Sequence, residues 1–326
     1  MASTTLPPTA PPLQIHTTLA SLRAWRRTQL LCSRRVALVP TMGALHAGHL
    51  SLIRAAAAEN PSVVVSIFVN PAQFAPHEDL TQYPRTLDSD VAQLEKLNAA
   101  LPPSSGRVEA LFLPSVTEMY PSGIPLDQTQ QRGAFVSVHG LSEQLEGVTR
   151  PHFFRGVATV CMKLFNAVQP DAAFFGQKDV QQTVVLRRLV QDLLIPVELR
   201  ICETVREGGD GLAMSSRNVY LGDKRRGVAG GLYRALRAAE EVYKSGEGDR
   251  DTVLAAAEKV LENVGKDEGV TIEVEYLSLA DGEELNELQA LDGRGGAILS
   301  GAVRIMPAGE RESPVRIIDN IILKAR

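Results

Sequence analysis

Residues 35–69 read RVALVPTMGALHAGHLSLIRAAAAENPSVVVSIFV, and the folding of this stretch decides the architecture. "RVALVP" (35–40) is a short apolar run that reads as a strand. "HLSLIRAAAAE" (49–59) carries a helical pattern. "SVVVSIFV" (62–69) is an unbroken apolar run, suited to a parallel sheet buried on both faces. Strand, helix and strand in this order predict a parallel pair joined by a right-handed crossover.

The alternation continues down the chain. "TLDSDVAQLEKLNAA" predicts a helix, with Leu87, Val91, Leu94 and Leu97 at helical spacing. "ALFLP" (110–114) predicts a third strand, "GVATVCMKLFNAVQ" a helix and "AAFFG" (172–176) a fourth strand. "VQQTVVLRRLVQDLL" is then a helix and "VELRICE" (197–203) a fifth strand. The expected fold is α/β, a Rossmann-like doubly wound parallel sheet over residues 15–204. Ligands of such sheets sit outside the carboxyl ends of the strands. After about residue 205 the texture changes. "VAGGLYRALRAAEEVYKSG" and "DTVLAAAEKVLENVG" read as helices, while 271–281, 296–306 and 315–323 alternate as strands. Residues 205–326 are therefore expected to form a smaller C-terminal α+β lid domain, joined through "REGGDG". "PPSSG" (102–106), within 97–109, reads as a surface insertion without legible chemistry.

A chain of 326 residues with net charge −4 is long enough for two domains. Its mixed charge argues against nucleic acid or an anionic membrane as partner, and no apolar run is long enough to span a bilayer. Cys32, Cys161 and Cys202 lack disulfide or zinc spacing, which fits a reducing, cytoplasmic setting. Residues 1–14, beginning "MASTTLPPTAPPL", are expected to be disordered. The Arg-bearing, acid-poor start up to Glu59 leaves a mitochondrial transit peptide open. A surface helix over "TTLASLRAWRRTQLL", capped by Thr17 or Thr18, is the preferred reading.

Four clusters follow directly after strands. In the first, "PTMG" turns the chain into a helix that places His46 and His49 on one face, one turn apart. Gly43 permits close backbone approach and Gly48 leaves room for a flat ligand, so the helix start reads as a phosphate and nucleotide cradle. A zinc pair is the competing reading, but it lacks a third ligand and the i, i+4 spacing of HExxH. In "VNPAQF" (69–74), Asn70 and Gln73 are neutral amides able to orient a hydroxyl or carboxylate, against a plain Asn-capped turn. "FFGQKDVQQ" (174–182) offers Lys178 as a cation, Asp179 as a helix cap and Gln182 one turn on. "GLAMSSRN" (211–218) offers Ser215 and Ser216 hydroxyls and the Arg217 fork, which suits phosphate oxygens, against a simple helix cap.

Taken together, "VPTMGALHAGH", "SIFVNPAQF", "YPRTLDSD", "GLSEQLEG", "FRGVATV", "QPDAAFFGQKDVQQ", "DGLAMSSRN" and "RIIDN" resemble the pantothenate synthetase family. These are pantoate–β-alanine ligases of the HIGH-motif nucleotidylyltransferase superfamily, and the resemblance runs from Ile15 to the end. It implies ATP binding by Met42, Gly43, Ala44, Leu45, His46, Ala47, Gly48 and His49, by Gly176, Gln177, Lys178 and Asp179, and by Met214, Ser215, Ser216 and Arg217. Val205 is implied as a backbone contact. Gln73 and Gln182, with Asn70 nearby, are implied to hold pantoate and β-alanine, and His49 to be catalytic. Gln177 stands where the family usually has Glu. "RPHFF" (150–154) has Phe153 in place of a family His, with His152 one place earlier.

The implied chemistry has two steps. The pantoate carboxylate attacks the α-phosphorus of ATP, giving pantoyl adenylate and pyrophosphate; the β-alanine amine then displaces AMP. Charge builds where two anions meet, so His46, His49, Lys178, Arg217 and Mg²⁺ are the expected counter-charges. Asp88 and Asp90 are candidates for holding Mg²⁺ through water, although acids on that helix read more simply as a solvated face. A homodimer rests on the resemblance alone. Two other hypotheses stay in view. A nucleotidylyltransferase acting on a phosphorylated acceptor would want more basic residues where this chain has amides. A nucleotide-binding protein without catalysis would not need the histidines, Lys178 and Arg217.

Overall fold

In chain order, a short strand β1 (Gln14–His16) and helix α1 (Leu19–Leu31) lead into the unit read from residues 35–69. That unit is β2 (Val36–Thr41), α2 (Ala47–Glu59) and β3 (Ser62–Ile67). Helix α3 (Leu87–Ala100), β4 (Arg107–Phe112) and the short helices α4 (Val116–Met119) and α5 (Glu146–Thr149) follow. Helix α6 (Phe153–Val168), β5 (Ala172–Gly176), α7 (Val180–Asp192) and β6 (Glu198–Cys202) complete the first sheet. The structure is a computed structural model and describes residues 12–75, 78, 80–309 and 312–326.

The six strands are parallel, in the order β1-β4-β3-β2-β5-β6. Side chains alternate across the sheet, so both faces are buried. Ala37, Val39, Val63 and Val65 pack with Leu52, Ile53 and Ala56 of α2 and Leu94 and Leu97 of α3. Val36, Leu38, Val64 and Phe112 pack with Leu22 and Trp25 of α1 and with α6 and α7. Thr18 caps α1 by accepting a hydrogen bond from the Ser21 amide. Arg26 of that helix is buried and donates to the carbonyls of Val168 and Gln169. The Arg-bearing segment is thus built into the fold, as the helix reading expects.

Several details differ from the sequence expectation. Gln14, assigned to the disordered segment, begins β1 and pairs with Ala110; residues 1–11 lie outside the described residues. Leu87 is exposed and leaves the apolar stripe of α3 to Leu94 and Leu97. Strand β4 starts at Arg107 rather than Ala110. Its Glu109 is buried, yet paired with Arg34 at 2.6 Å and with the Ser62 hydroxyl, so a charge hides the strand pattern. "PPSSG" lies at the surface, as expected, with Pro102, Pro103 and Ser104 exposed. It forms the α3–β4 connection, and Gly106 ends it hard against the α2–β3 turn, where an added Cβ would lie 1.9 Å from the Asn60 carbonyl oxygen.

The C-terminal part contains α8 (Gly222–Val228), α9 (Gly231–Lys244) and α10 (Arg250–Leu261). Strands β7 (Ile272–Ala280), β8 (Ile298–Ile305) and β9 (Val315–Ile322) form an antiparallel sheet in that order. Helices α9 and α10 cover one face through Leu232, Leu236, Val253 and Leu254, packed on Leu299, Val303 and Ile317. The other face meets the first sheet's domain through mostly polar side chains. Arg316 pairs with Glu146 at 2.5–2.6 Å, and the Tyr276 hydroxyl donates to the same carboxylate. Among the described residues, Leu285 and Ile298 alone reach from the C-terminal part into the first domain's buried core.

Candidate active site

Strands β2 and β5 are neighbours, but the chain leaves β2 toward β3 on one side and β5 toward β6 on the other. At such a switch point the loops diverge and open a crevice. A cleft of about 1050 Å³ begins there and runs up to the C-terminal sheet. It brings together all four sequence clusters. Met42, His46, Gly48, His49, Asn70, Gln73, Gly176, Lys178, Asp179, Gln182, Val205, Met214, Ser215, Ser216 and Arg217 line it. Gly43, Ala44, Leu45, Ala47 and Gln177, also expected at the nucleotide, do not.

The reason lies in the turn after β2. Gly43 and Ala44 both take positive φ, +83° and +50°, which favours glycine and strains alanine. This coil turns its amides away from the cleft and onto Asp90 at the start of α3. The Asp90 carboxylate accepts from the Ala44 amide at 2.9 Å and the Leu45 amide at 2.8 Å, and from the Thr86 hydroxyl. Gln93, one turn on, donates to the Leu45 carbonyl. Asp90 is buried, so both its magnesium reading and its solvated-face reading are corrected: its oxygens are spent on backbone. Asp88 is exposed on the same helix. Among the described residues no group of three or more His, Cys, Asp or Glu side chains could hold a metal ion.

The histidines cap their own helix. His46 precedes Ala47, and its Nδ1 accepts from the Gly48 amide at 3.1 Å. The His49 Nδ1 accepts from the His46 amide at 3.4 Å, and the rings lie 4.1 Å apart. Gly48 is needed for this, because a Cβ there would sit 2.8 Å from the His46 ring. With both Nδ1 atoms accepting, the hydrogen-bond pattern assigns each neutral ring's proton to Nε2. Burial, with Lys178 adding to it, lowers His46 to about 4; burial, with His46 adding to it, lowers His49 to about 3. In the free protein both are therefore neutral Nε2 donors at pH 7; the counter-charge expected of them belongs to the ATP-bound state. Lys178 and Arg217 supply the positive charge.

Asn70 is also corrected. It is buried; its Nδ2 donates to the Gln73 Oε1 and the Gly156 carbonyl, and its Oδ1 accepts from the Tyr120 hydroxyl at 2.7 Å. Nothing remains for a ligand. Asn70 instead fixes the Gln73 amide with Nε2 outward beside Met42 Sδ at 3.4 Å. Gly156 lets α6 press against this turn, since a Cβ there would lie 2.2 Å from the Ala72 carbonyl oxygen. Along the same helix Val157, Val160 and Cys161 give the cleft an apolar wall. The fourth cluster closes the ring: Ser215 accepts from the Arg217 amide, and the Ser216 hydroxyl donates to the Ala44 carbonyl.

With this geometry in hand, the chain can be set beside known proteins. The pantoate–β-alanine ligase family model matches residues 14–322. The chain belongs to the pantoate–β-alanine ligase family. It is 46% identical over 307 residues to a pantothenate synthetase of Roseiflexus castenholzii, covering 94% of this chain and 99% of that protein. The pantothenate synthetase structure from Thermus thermophilus superposes with a TM-score of 0.79 at 41% identity, covering 95% and 99% of the two chains. The pantoate–β-alanine ligase structure from Francisella tularensis, complexed with βγ-ATP and β-alanine, gives 0.71 at 28%, covering 95% and 98%.

For a member of this ligase family, the positions that depart from the common pattern have clear local roles. Gln177 turns from the cleft to donate to the Asn320 Oδ1. Phe153 opens α6 under the Arg150 guanidinium, 3.8 Å from its ring, while His152 takes φ +74° before it. Arg150 pairs with Glu78 at 2.6–2.8 Å and donates to the Gln73 carbonyl, so it also steadies the amide turn. Sequence reasoning missed Tyr120, Gln181, Arg150 and Asn320, and gave Asp90 the wrong role. Gln181 is buried and holds the 141–146 segment through three hydrogen bonds. "YPRTLDSD" and "RIIDN" were visible as motifs; the roles of Asp90 and Asn320 within them were not.

Proposed function

We propose that this chain condenses pantoate with β-alanine at the expense of ATP, through pantoyl adenylate, in the cleft at the β2/β5 switch point. The observation that carries the reading is that one cleft combines two chemistries. Its lining combines the donors and cations His46, His49, Lys178 and Arg217 with the neutral amides Gln73 and Gln182 and the apolar side chains Val157, Val160 and Cys161. Neutral amides beside valine surfaces suit an acid bearing hydroxyls and methyl groups, and add no charge that would hold a carboxylate back from attack. Lys178, Arg217 and the two Nε2–H groups suit a triphosphate cleaved at its α-phosphorus. A plain nucleotidylyltransferase needs cations for a phosphorylated acceptor, and beside Gln73 the guanidinium of Arg150 is already taken by Glu78.

In the first step Gln73 and Gln182 orient pantoate, and His49 donates to oxygen as charge builds at the α-phosphorus. In the second, β-alanine attacks the activated carbonyl and AMP leaves. The C-terminal domain, 205–326, acts as a lid that keeps water from the adenylate. Its polar seat on the first domain suits a surface that parts and closes. Since Asp90 is committed to backbone, Mg²⁺ enters as part of the MgATP substrate. We carry forward a homodimer from the family resemblance, and a cytoplasmic setting from the three widely spaced cysteines.

The test is isotopic. Labelled pyrophosphate should exchange into ATP with pantoate present and β-alanine absent; adding β-alanine should give pantothenate and AMP. Release of ADP, or exchange that ignores pantoate, would overturn the reading. Gln73→Ala should raise the KM for pantoate by ten-fold or more, the ~1.5 kcal/mol of one lost hydrogen bond to a charged group, and leave the KM for ATP within about two-fold. An equal rise for both substrates would remove Gln73 from the pantoate site.

A further inference from the structure

Asn320 lies on β9 of the C-terminal sheet and is buried, yet every hydrogen bond of its side chain crosses to the other domain. Its Nδ2 donates to the carbonyls of Gln177 and Lys178, each at 2.9 Å, and its Oδ1 accepts from the Gln177 Nε2 at 3.1 Å. Both amide hydrogens and the oxygen are in use. The recipient is the 3-10 turn Gln177–Asp179 that carries Lys178 into the cleft. That turn has no side-chain cap, and neither has α7 behind it. Its shape is held by a residue far along the chain, 143 positions from Gln177.

The surroundings offer no substitute. Ser300 stands opposite Asn320 in register, with Ser278 beyond it on β7, and their buried hydroxyls have no partner among the described residues. The residue before it, Asp319, takes Arg206 in a bidentate pair at 2.5 and 3.0 Å, just after Val205 at the cleft. Strand β9 is thus pinned at its own domain and reaches the first domain at this point through one amide. Among the described residues, the Lys178 ammonium has Asp179 as its ion-pair partner, at 3.4 Å, a neighbour on the same turn that cannot place it from outside.

We propose that Asn320 is a positioning residue for Lys178: it sets the cation at the triphosphate only while the C-terminal sheet is seated, and so couples domain seating to adenylate formation. This rests on the ATP-dependent reading above. A role in interface stability alone predicts something different, and a double-mutant cycle separates the two. Wild type, Asn320→Ala, Lys178→Ala and the double variant are compared by pantoate-dependent pyrophosphate exchange and by melting temperature. Asn320→Ala should lower exchange kcat by about 10- to 100-fold, less than the ~10²–10³ of losing a preorganised donor outright. The KM for pantoate should stay within about two-fold. The double variant should be no slower than Lys178→Ala within about two-fold, because a misplaced lysine and an absent one are alike.

Glu284→Ala, which removes the Arg188–Glu284 pair elsewhere on the same domain interface, should lower the melting temperature and spare exchange. If Asn320→Ala does not fold, Gln177→Ala removes one of the three bonds from the other side and should show a few-fold loss with the same non-additivity toward Lys178→Ala. Losses that multiply in the double variant, or exchange that follows melting temperature across the set, would overturn the proposal. Should wild type show no pantoate-dependent exchange, the ligase reading fails separately. Calorimetric ATP affinity across the same four proteins then decides the coupling, with the same non-additive pattern supporting it and additive losses overturning it.

Discussion

Replacing His49 by alanine is expected to slow adenylate formation by about 10²–10³-fold, the loss typical of one preorganised donor, while the fold stands. The ring is held by its neighbours rather than holding them. Its Nδ1 receives a long bond of 3.4 Å from the His46 amide, and its other contact of note is the His46 ring. What alanine removes is the Nε2–H that faces the cleft. Pyrophosphate exchange and thermal melting, measured together, check this. Near-normal exchange removes His49 from the chemistry, and a melting loss of many degrees makes it a structural ring. His49→Gln, which keeps an N–H donor, should recover part of the rate.

The same ring leaves a mark on acid stability. His46 and His49 titrate in the folded protein near 4 and 3, well below the ordinary 6.5. Between these values the unfolded chain binds more protons than the folded one, so unfolding is favoured as pH falls. The stability that goes with neutral rings is whole above about 6.5 and drains as pH drops through 6 toward 4. His49→Gln should flatten that slope. A bound triphosphate should flatten it too, because nearby negative charge raises both histidines.

How much of this was legible in the sequence follows from the range of the interactions involved. The parallel sheet was legible because β2, β3 and β5 are local apolar runs, and the cleft because ligands in such sheets gather at strand ends. Hidden elements failed for physical reasons of two kinds. Strand β4, Arg107–Phe112, carries a buried Glu109 whose charge is answered by Arg34, 75 residues away. Asn70 looked like a free amide because its partners Tyr120 and Gly156 are 50 and 86 residues on. A polar side chain at a strand end reads as a ligand until its protein partners are known. The resting charge of the histidines was hidden on similar grounds, since burial, not spacing, keeps them neutral in the free protein.

Asp90 carries the second large expectation. Asp90→Asn keeps the shape and leaves one oxygen, but two consecutive amides, at 2.9 and 2.8 Å, claim the two carboxylate oxygens. In the variant an NH₂ must face an N–H, leaving a buried donor unmatched at a cost of about 1–3 kcal/mol. The coil it clamps is already strained by positive φ at Ala44, so the turn between Gly43 and Leu45 should relax. Two features of the cleft depend on that turn. His46 follows it directly as helix cap, and the Ala44 carbonyl receives the Ser216 hydroxyl next to Arg217. A displacement on the order of 1 Å at either side costs about 10²-fold in rate. Exchange should therefore fall at least about 100-fold, with a raised KM for ATP, while Asp88→Asn, changed on the exposed side of the same helix, stays within about two-fold of wild type. Magnesium decides between clamp and metal ligand. If Asp90 holds the turn, saturating Mg²⁺ leaves the variant as slow as before; recovery of exchange on raising Mg²⁺ would return Asp90 to the metal and sink the clamp.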